Sequence, residues 1–172
     1  MLAADSEHPG ALSAASPPDI YAFIAELARE SGLNDTRIWL SRVDANFPIP
    51  HDLPPSILLD QPVANGKRPI NEAFRGLPIV FAVASFPPGT KLADLPSTTP
   101  LAWTRGLQPD GTWSNATSPY GEWGGFIVFV GGNLEKYRTI DGRLTTPQGK
   151  ATSDIRETLP PGTRILEFSP KR

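Results

Sequence analysis

The longest regular pattern of apolar and polar positions runs from Gly121 to Ile140 and predicts a β-hairpin. Phe126–Val130 is an unbroken run of β-branched and aromatic residues, Gly131-Gly132-Asn133 accepts positive φ, and Leu134–Ile140 alternates again. The first arm is expected to be buried on both faces, with Phe126, Val128 and Val130 on one and Ile127 and Phe129 on the other. In the second arm Glu135, Tyr137 and Thr139 share a face opposite Leu134, Lys136, Arg138 and Ile140. Such a mixture suits an edge strand whose charges discourage unwanted pairing.

Toward the N-terminus, Ile20, Phe23, Ile24, Leu27 and Ala28 recur at helical spacing and predict one amphipathic helix from Pro18 to Ser31. Ser16 is its expected N-cap, proline occupies the first turn, Asp19 meets the positive end of the dipole, and Gly32 stops it. Thr36–Val43 alternates Arg37, Trp39 and Ser41 against Ile38, Leu40 and Arg42, which predicts a half-buried strand. Six prolines between Pro48 and Pro69 break up regular structure there, so Ile57-Leu58-Leu59 is expected to anchor a loop and Asn71–Arg75 to form one helical turn. Pro78–Ala84 predicts a central strand, Thr99–Gly106 an alternating one, and Pro109-Asp110-Gly111-Thr112 a tight turn leading to Trp113. Ser153 is expected to cap a short helix through Thr158, before a last strand over Thr163–Phe168.

Composition narrows this to an α+β fold. The chain has 172 residues, enough for one domain that buries roughly 70% of the surface its unfolded form exposes. Its 15 glycines and 20 prolines, about a fifth of the chain, point to an antiparallel sheet of short strands with long Pro/Gly-rich loops and one principal amphipathic helix. Residues 1–15, small and polar without a period, are expected to form a flexible arm, leaving 16–172 as a single globular domain. The formal charge is −2 and no basic run is longer than Lys171-Arg172, so the electrostatic footprint of a nucleic-acid binder is missing. Cysteine is absent, which excludes disulfides, thiol catalysis and thiolate metal sites. No apolar run approaches the ~20 residues of a membrane span, and Met1–Asp5 has neither the basic nor the apolar region of a signal peptide.

Residues that carry chemistry are sparse. His8 and His51 lie in polar, loop-like segments without a carboxylate or HExxH partner, so neither is assigned to a metal or to proton transfer. Glu122, Glu135 and Asp141 surround the hairpin, and a hydrolase would need two of them facing each other across a cleft. Asp110-Gly111 and Asp141-Gly142 offer oxygens for calcium, but ordinary turns account for them better. Of Trp39, Trp103, Trp113 and Trp123, strand positions favour the core, whereas exposed members would form a sugar-stacking platform. Asn115-Ala116-Thr117 matches a glycosylation acceptor, a chance match in a bacterial protein. No catalytic, cofactor-binding or metal residue is therefore expected.

The segment Pro100-Leu-Ala-Trp-Thr-Arg-Gly-Leu-Gln-Pro-Asp-Gly-Thr-Trp113, a variable loop, and Tyr120-Gly-Glu-Trp-Gly-Gly-Phe-Ile-Val-Phe-Val-Gly-Gly-Asn-Leu-Glu-Lys-Tyr137 resemble the C-terminal half of type IV pilin-like proteins and type II secretion pseudopilins, in Verrucomicrobia-like forms. Those proteins often end in a hairpin of the pattern GG-x-hydrophobic-x-F-x-DGH-V-x-x-Y. This chain keeps Gly124, Gly125, Phe129, Gly132 and Tyr137, and has Gly131 and Asn133 where the pattern has Asp and His. The helix from Pro18 and the segment Gly32–Leu40 are similar to the region after the long first helix in that family, so the resemblance spans roughly 16–168.

The resemblance implies a non-enzymatic structural subunit with a pilin-like globular domain, whose partners are other pilin-like subunits in a homo- or hetero-filament. It further implies an exported bacterial protein anchored in the inner membrane by an apolar N-terminal helix, with its globular part in the periplasm or at the cell surface. This sequence shows no such helix, and the expectation is that it was removed, with Met1 replacing the natural upstream residues. A sheet with one apolar face left for that helix is the corresponding structural expectation. No cofactor is implied, and calcium has no support. Two alternatives stand beside it: a secreted carbohydrate-binding module using Trp113 and Trp123, and a small hydrolase with paired carboxylates.

Overall fold

The structure is a computed structural model that describes residues 16–61 and 66–170. The expected arm over 1–15 lies outside the described residues, as do Lys171 and Arg172. The apolar stripe near the N-terminus forms α1, Ile20–Ser31. Its N-cap is Asp19 and not Ser16: the Asp19 carboxylate accepts a hydrogen bond from the Ala22 N–H at 2.7 Å. The two prolines cause the shift, because a residue before proline is driven out of the helical region, and both Ser16 and Pro17 precede one. Gly32 ends the helix as expected, at φ 76° with its N–H on the Ala28 carbonyl.

The strands are β1 (Phe81–Ser85), β2 (Pro100–Thr104), β3 (Gly125–Phe129), β4 (Leu134–Tyr137), β5 (Leu144–Thr145), β6 (Ala151–Thr152) and β7 (Arg164–Leu166). Five of them form one antiparallel sheet in the order β4-β3-β2-β1-β7, while β5 and β6 make a small separate hairpin. The α+β class and the antiparallel sheet are as expected. The Pro78–Ala84 run supplies an interior strand, and the segment from Thr163 supplies the far edge.

The sheet lies between two apolar layers, both built by this chain. On one side Ile20, Ile24, Ala25 and Ala28 of α1 join Ile57, Leu58, Phe74 and Ile79 over Val83 and Leu166. Phe74 is fully buried at the end of a one-turn segment, Glu72–Phe74, capped by Asn71 where a helical turn is expected. On the other side Ala82 and Ala84 meet Trp103, Ile127, Phe129 and Tyr137, which Trp113, Ile140, Leu144, Ile155 and Leu159 cover from the long connections. Both faces of β1 are thus closed by the chain itself, so the expectation of an entire apolar face awaiting a helix is not met.

One corner of the α1 side stays open. The α1 layer reaches no further across the sheet than Ala102 of β2. Beyond it Phe126 and Val128 are half-buried, and Leu134, paired with Val128, is 63% exposed. The first hairpin arm is therefore buried on the Ile127–Phe129 face alone, which corrects the two-sided expectation. The pairing Gly125↔Tyr137 is the last in the hairpin, so β4 stops at Tyr137 and Ile140 instead enters the core, its N–H bonded to the Gly111 carbonyl at 2.9 Å. β4 is an edge strand with Glu135 and Lys136 exposed, as its charges predict.

The strand expected at Thr36–Val43 is instead a 3-10 turn, Thr36–Trp39. The Asp35 carboxylate accepts from the Arg37 N–H at 2.9 Å and pairs with its guanidinium at 2.7 Å, and this local capping winds the chain before any alternation can be used. Likewise Asp154, not Ser153, caps the turn Ile155–Thr158, while the Ser153 hydroxyl accepts from the Gly142 N–H. Ile57 and Leu58 do anchor the proline-rich loop, with Leu59 left exposed.

Gly125 begins β3 because a side chain has no room there. A Cβ would lie 2.5 Å from the Trp113 indole nitrogen and 2.7 Å from the Thr104 Cβ, in the packed layer behind the hairpin. Gly125→Ala is expected to lower unfolding stability by about 1–3 kcal/mol in chemical denaturation; an unchanged midpoint would contradict this packing.

Candidate functional site

The site is built on a charge placed inside the protein. Arg105 follows β2, and its N–H continues the sheet bonding to the Val80 carbonyl at 2.9 Å. Its guanidinium donates from Nε to the Thr117 carbonyl at 2.7 Å and from Nη1 to the Ile79 carbonyl at 2.8 Å, and from Nη2 it forms an ion pair with Asp44. Both side chains are 1% exposed. The guanidinium carbon lies 4.9 Å from the centre of the Phe47 ring and 5.3 Å from that of Phe168, within cation–π range of both. Asp44 also accepts from the Phe47 N–H at 3.1 Å, so the acid and the ring that cover the arginine are fixed together.

A second carboxylate approaches from the C-terminal segment. Glu167 accepts from the Gly106 N–H at 2.7 Å. Glu167 is exposed as a residue, but the protein packed around its carboxyl withdraws that group from water in part and raises its pKa from the usual glutamate value, opposed by that N–H and by the positive charge of Arg105.

The cluster is tied to a surface groove through the turn at 114–118. Two residues after Asp44, the Asn46 amide donates to the carbonyls of Asn115 at 2.8 Å and Ser118 at 3.2 Å, in the same turn that receives Arg105 through Thr117. Ser118 accepts from the Tyr120 N–H, and the chain then makes a one-turn 3-10 segment, Gly121–Trp123. It leaves that turn through Gly124 at φ 84°, where a Cβ would lie 1.9 Å from the Tyr137 carbonyl oxygen. This close crossing over β4 holds Trp123 outward, 74% exposed.

The groove encloses about 780 Å³ and is lined by Asn46, Tyr120, Glu122, Trp123, Phe126 and Lys136 among others. Tyr120 and Phe126 meet edge to face, 6.2 Å apart. A second concavity of about 480 Å³ is lined by Glu122, Trp123, Lys136 and Arg138. The two share Glu122, Trp123 and Lys136, so they adjoin around the exposed Trp123 side chain.

The residues singled out in sequence disperse. Trp39, Trp103 and Trp113 are buried, and the Trp113 N–H is used internally on the Thr104 carbonyl at 3.1 Å. Trp113 and Trp123 therefore do not form a shared stacking platform. Glu122 lies in the groove, whereas Glu135 stands on the opposite face of the sheet, in register with buried Ile127, and accepts from the Tyr137 hydroxyl. Asp141 accepts from the Thr139 hydroxyl. These three carboxylates do not face one another across one cleft. Asp110 holds its own turn by accepting from the Thr112 N–H and hydroxyl. His51 is exposed in a loop, and His8 lies outside the described residues. Among the described residues no three His, Cys, Asp or Glu side chains are grouped to hold a metal, and no helix is long and apolar enough to cross a membrane.

Sequence reasoning missed Arg105, Asp44 and Glu167. Asp44-Ala-Asn-Phe47 and Glu167-Phe168 each set an acid beside an aromatic ring, the signal that a buried cation needs both, but nothing in one sequence links them.

Glu167 gives the cluster a pH signature. Its raised folded value means that folding favours the protonated acid, so its contribution is complete below about pH 4.5 and is lost as pH rises through the raised value. Glu167→Gln keeps an oxygen for Gly106 and removes the titration. The variant's stability relative to the native chain is expected to rise across that interval and then level off, measured by denaturant unfolding from about pH 4 to 8. A difference independent of pH would contradict the assignment.

No protein-family model, curated protein or solved structure matches this chain.

Proposed function

We propose that the chain is the globular part of a pilin-like structural subunit, belonging to a type IV pilus-like or type II pseudopilus filament and working without catalysis. The observation that carries this reading is the open corner of the sheet. Phe126, Val128 and Leu134 present apolar surface on the same side as α1, beyond the reach of its layer, on a hairpin that is otherwise well packed. Apolar surface on a rigid sheet suits docking against another protein segment, and here the occupant is an apolar helix, of this subunit or of its neighbour in the filament. The scattering of Glu122, Glu135 and Asp141 favours this reading over the small hydrolase. In this account the subunit is exported and anchored by a helix upstream of the segment described, and its partners are further pilin-like subunits.

The test uses the protein expressed with its full upstream coding region in the cell that makes it. An apolar stretch of about 20 residues is expected upstream, together with recovery of the protein in sheared filaments. Val128→Asp and Leu134→Asp, at partly and largely exposed positions, are expected to remove it from filaments while leaving the melting temperature of the isolated domain within a few degrees. An upstream region without such a stretch, or filaments that form normally with both substitutions, would contradict the proposal.

A further inference from the structure

The groove around Trp123 has features that filament docking does not need. Trp123 is the exposed one of four tryptophans, and the turn that holds it outward depends on a crossing at Gly124 that only glycine fits. The indole is thus held out in solvent by a constrained loop. Charged side chains line the groove without internal partners: those of Glu122, Lys136 and Arg138 form no hydrogen bond or ion pair among the described residues.

We propose that this groove binds an acidic polysaccharide, a chain of uronic-acid units with one sugar ring stacked on the Trp123 indole and its carboxylates on Lys136 and Arg138. Each part of the site meets a part of that ligand. The C–H face of a pyranose is apolar and matches the open face of an indole, while hydroxyls at the ring edge donate to Glu122. Two cations stand against one acid at the Arg138 end, a local positive balance in a chain whose net charge is −2, so the complementary group is an anion. A neutral glycan would use Trp123 and leave both cations unpaired. The two adjoining concavities lie around the same indole, which leaves room for sugar units on either side of the one stacked on Trp123. This proposal does not depend on the filament reading, because its site is complete within the isolated domain.

The test is titration of the soluble domain with a hexamer of galacturonic acid, followed by calorimetry and by protection of tryptophan fluorescence from iodide, with a neutral hexamer of galactose as the comparison. Saturable binding to the uronate is expected, with loss of the iodide-accessible fraction and weakening as salt rises. Trp123→Ala is expected to weaken binding about tenfold or more without lowering the melting temperature, since the side chain is largely exposed. Joint Lys136→Gln and Arg138→Gln substitution is expected to weaken binding to a similar degree and to abolish its salt dependence. The proposal is overturned by absence of saturable uronate binding, by equal affinity for the neutral hexamer, or by affinity that survives Trp123→Ala.

Discussion

A guanidinium removed from water beside a single carboxylate is the constraint around which this protein is arranged. Arg105 and Asp44 are both almost inaccessible, and an ion pair so placed sacrifices hydration that its own attraction barely restores. It persists because the other two guanidinium nitrogens also have acceptors, the Thr117 and Ile79 carbonyls, and because the Phe47 and Phe168 rings, packed edge to face on each other, both lie within cation–π distance of the group. Such a pair adds little net stability compared with an apolar pair of the same volume, but it admits few geometries. Segments that no strand connects are thereby fixed together: the loop at 44–47, the start of β1, the turn at 114–118, and the C-terminal residues after β7.

Order passes from that centre to the surface by short steps. Asn46 repeats on the outside what Arg105 does on the inside, donating to the same 114–118 turn, through the carbonyls of Asn115 and Ser118. From Ser118 the chain runs through Tyr120 to the turn that carries Trp123, and Gly124 brings it back over β4. The groove is therefore connected by hydrogen bonds to the buried centre, although nearly all its lining comes from loops. The same connection explains why the sheet corner stays open: the 114–124 segment is tied to Arg105 and crosses close to Tyr137, so it reaches Phe126 through Tyr120 but leaves Val128 and Leu134 uncovered.

Much of the scaffold was legible in the sequence, and its centre was not. The run at Pro78–Ala84 revealed a strand because burial on both faces demands continuous apolar residues, that at Phe126–Val130 through its β-branched and aromatic composition although only one face is buried, and the stripe from Ile20 revealed α1 because a helix needs its own period. Thr36–Val43 misled because alternation says nothing of a neighbouring side chain able to cap a turn, and Asp35 is such a side chain. Arg105 was hidden for a different reason. A charged residue at the end of an alternating strand implies solvent, and the groups that make burial tolerable stand far off, Asp44 61 positions before Arg105 and Glu167 61 positions after Gly106. Of the groove, Trp123 and Glu122 were visible as candidates. Their separation from Trp113, and their union with Lys136 and Arg138, depended on which way one turn exits at Gly124.

The central claim is that Arg105 and Asp44 act as one unit that holds these segments, and a double-mutant cycle measures it. Arg105→Met and Asp44→Leu are each expected to cost about 3–5 kcal/mol of unfolding stability, because either leaves an uncompensated buried charge. The double variant, with both charges gone, is expected to be far more stable than the sum of the two losses implies, giving a coupling energy of about 2 kcal/mol or more. Losses that simply add would contradict the account, for they would show two independently placed side chains and no common centre.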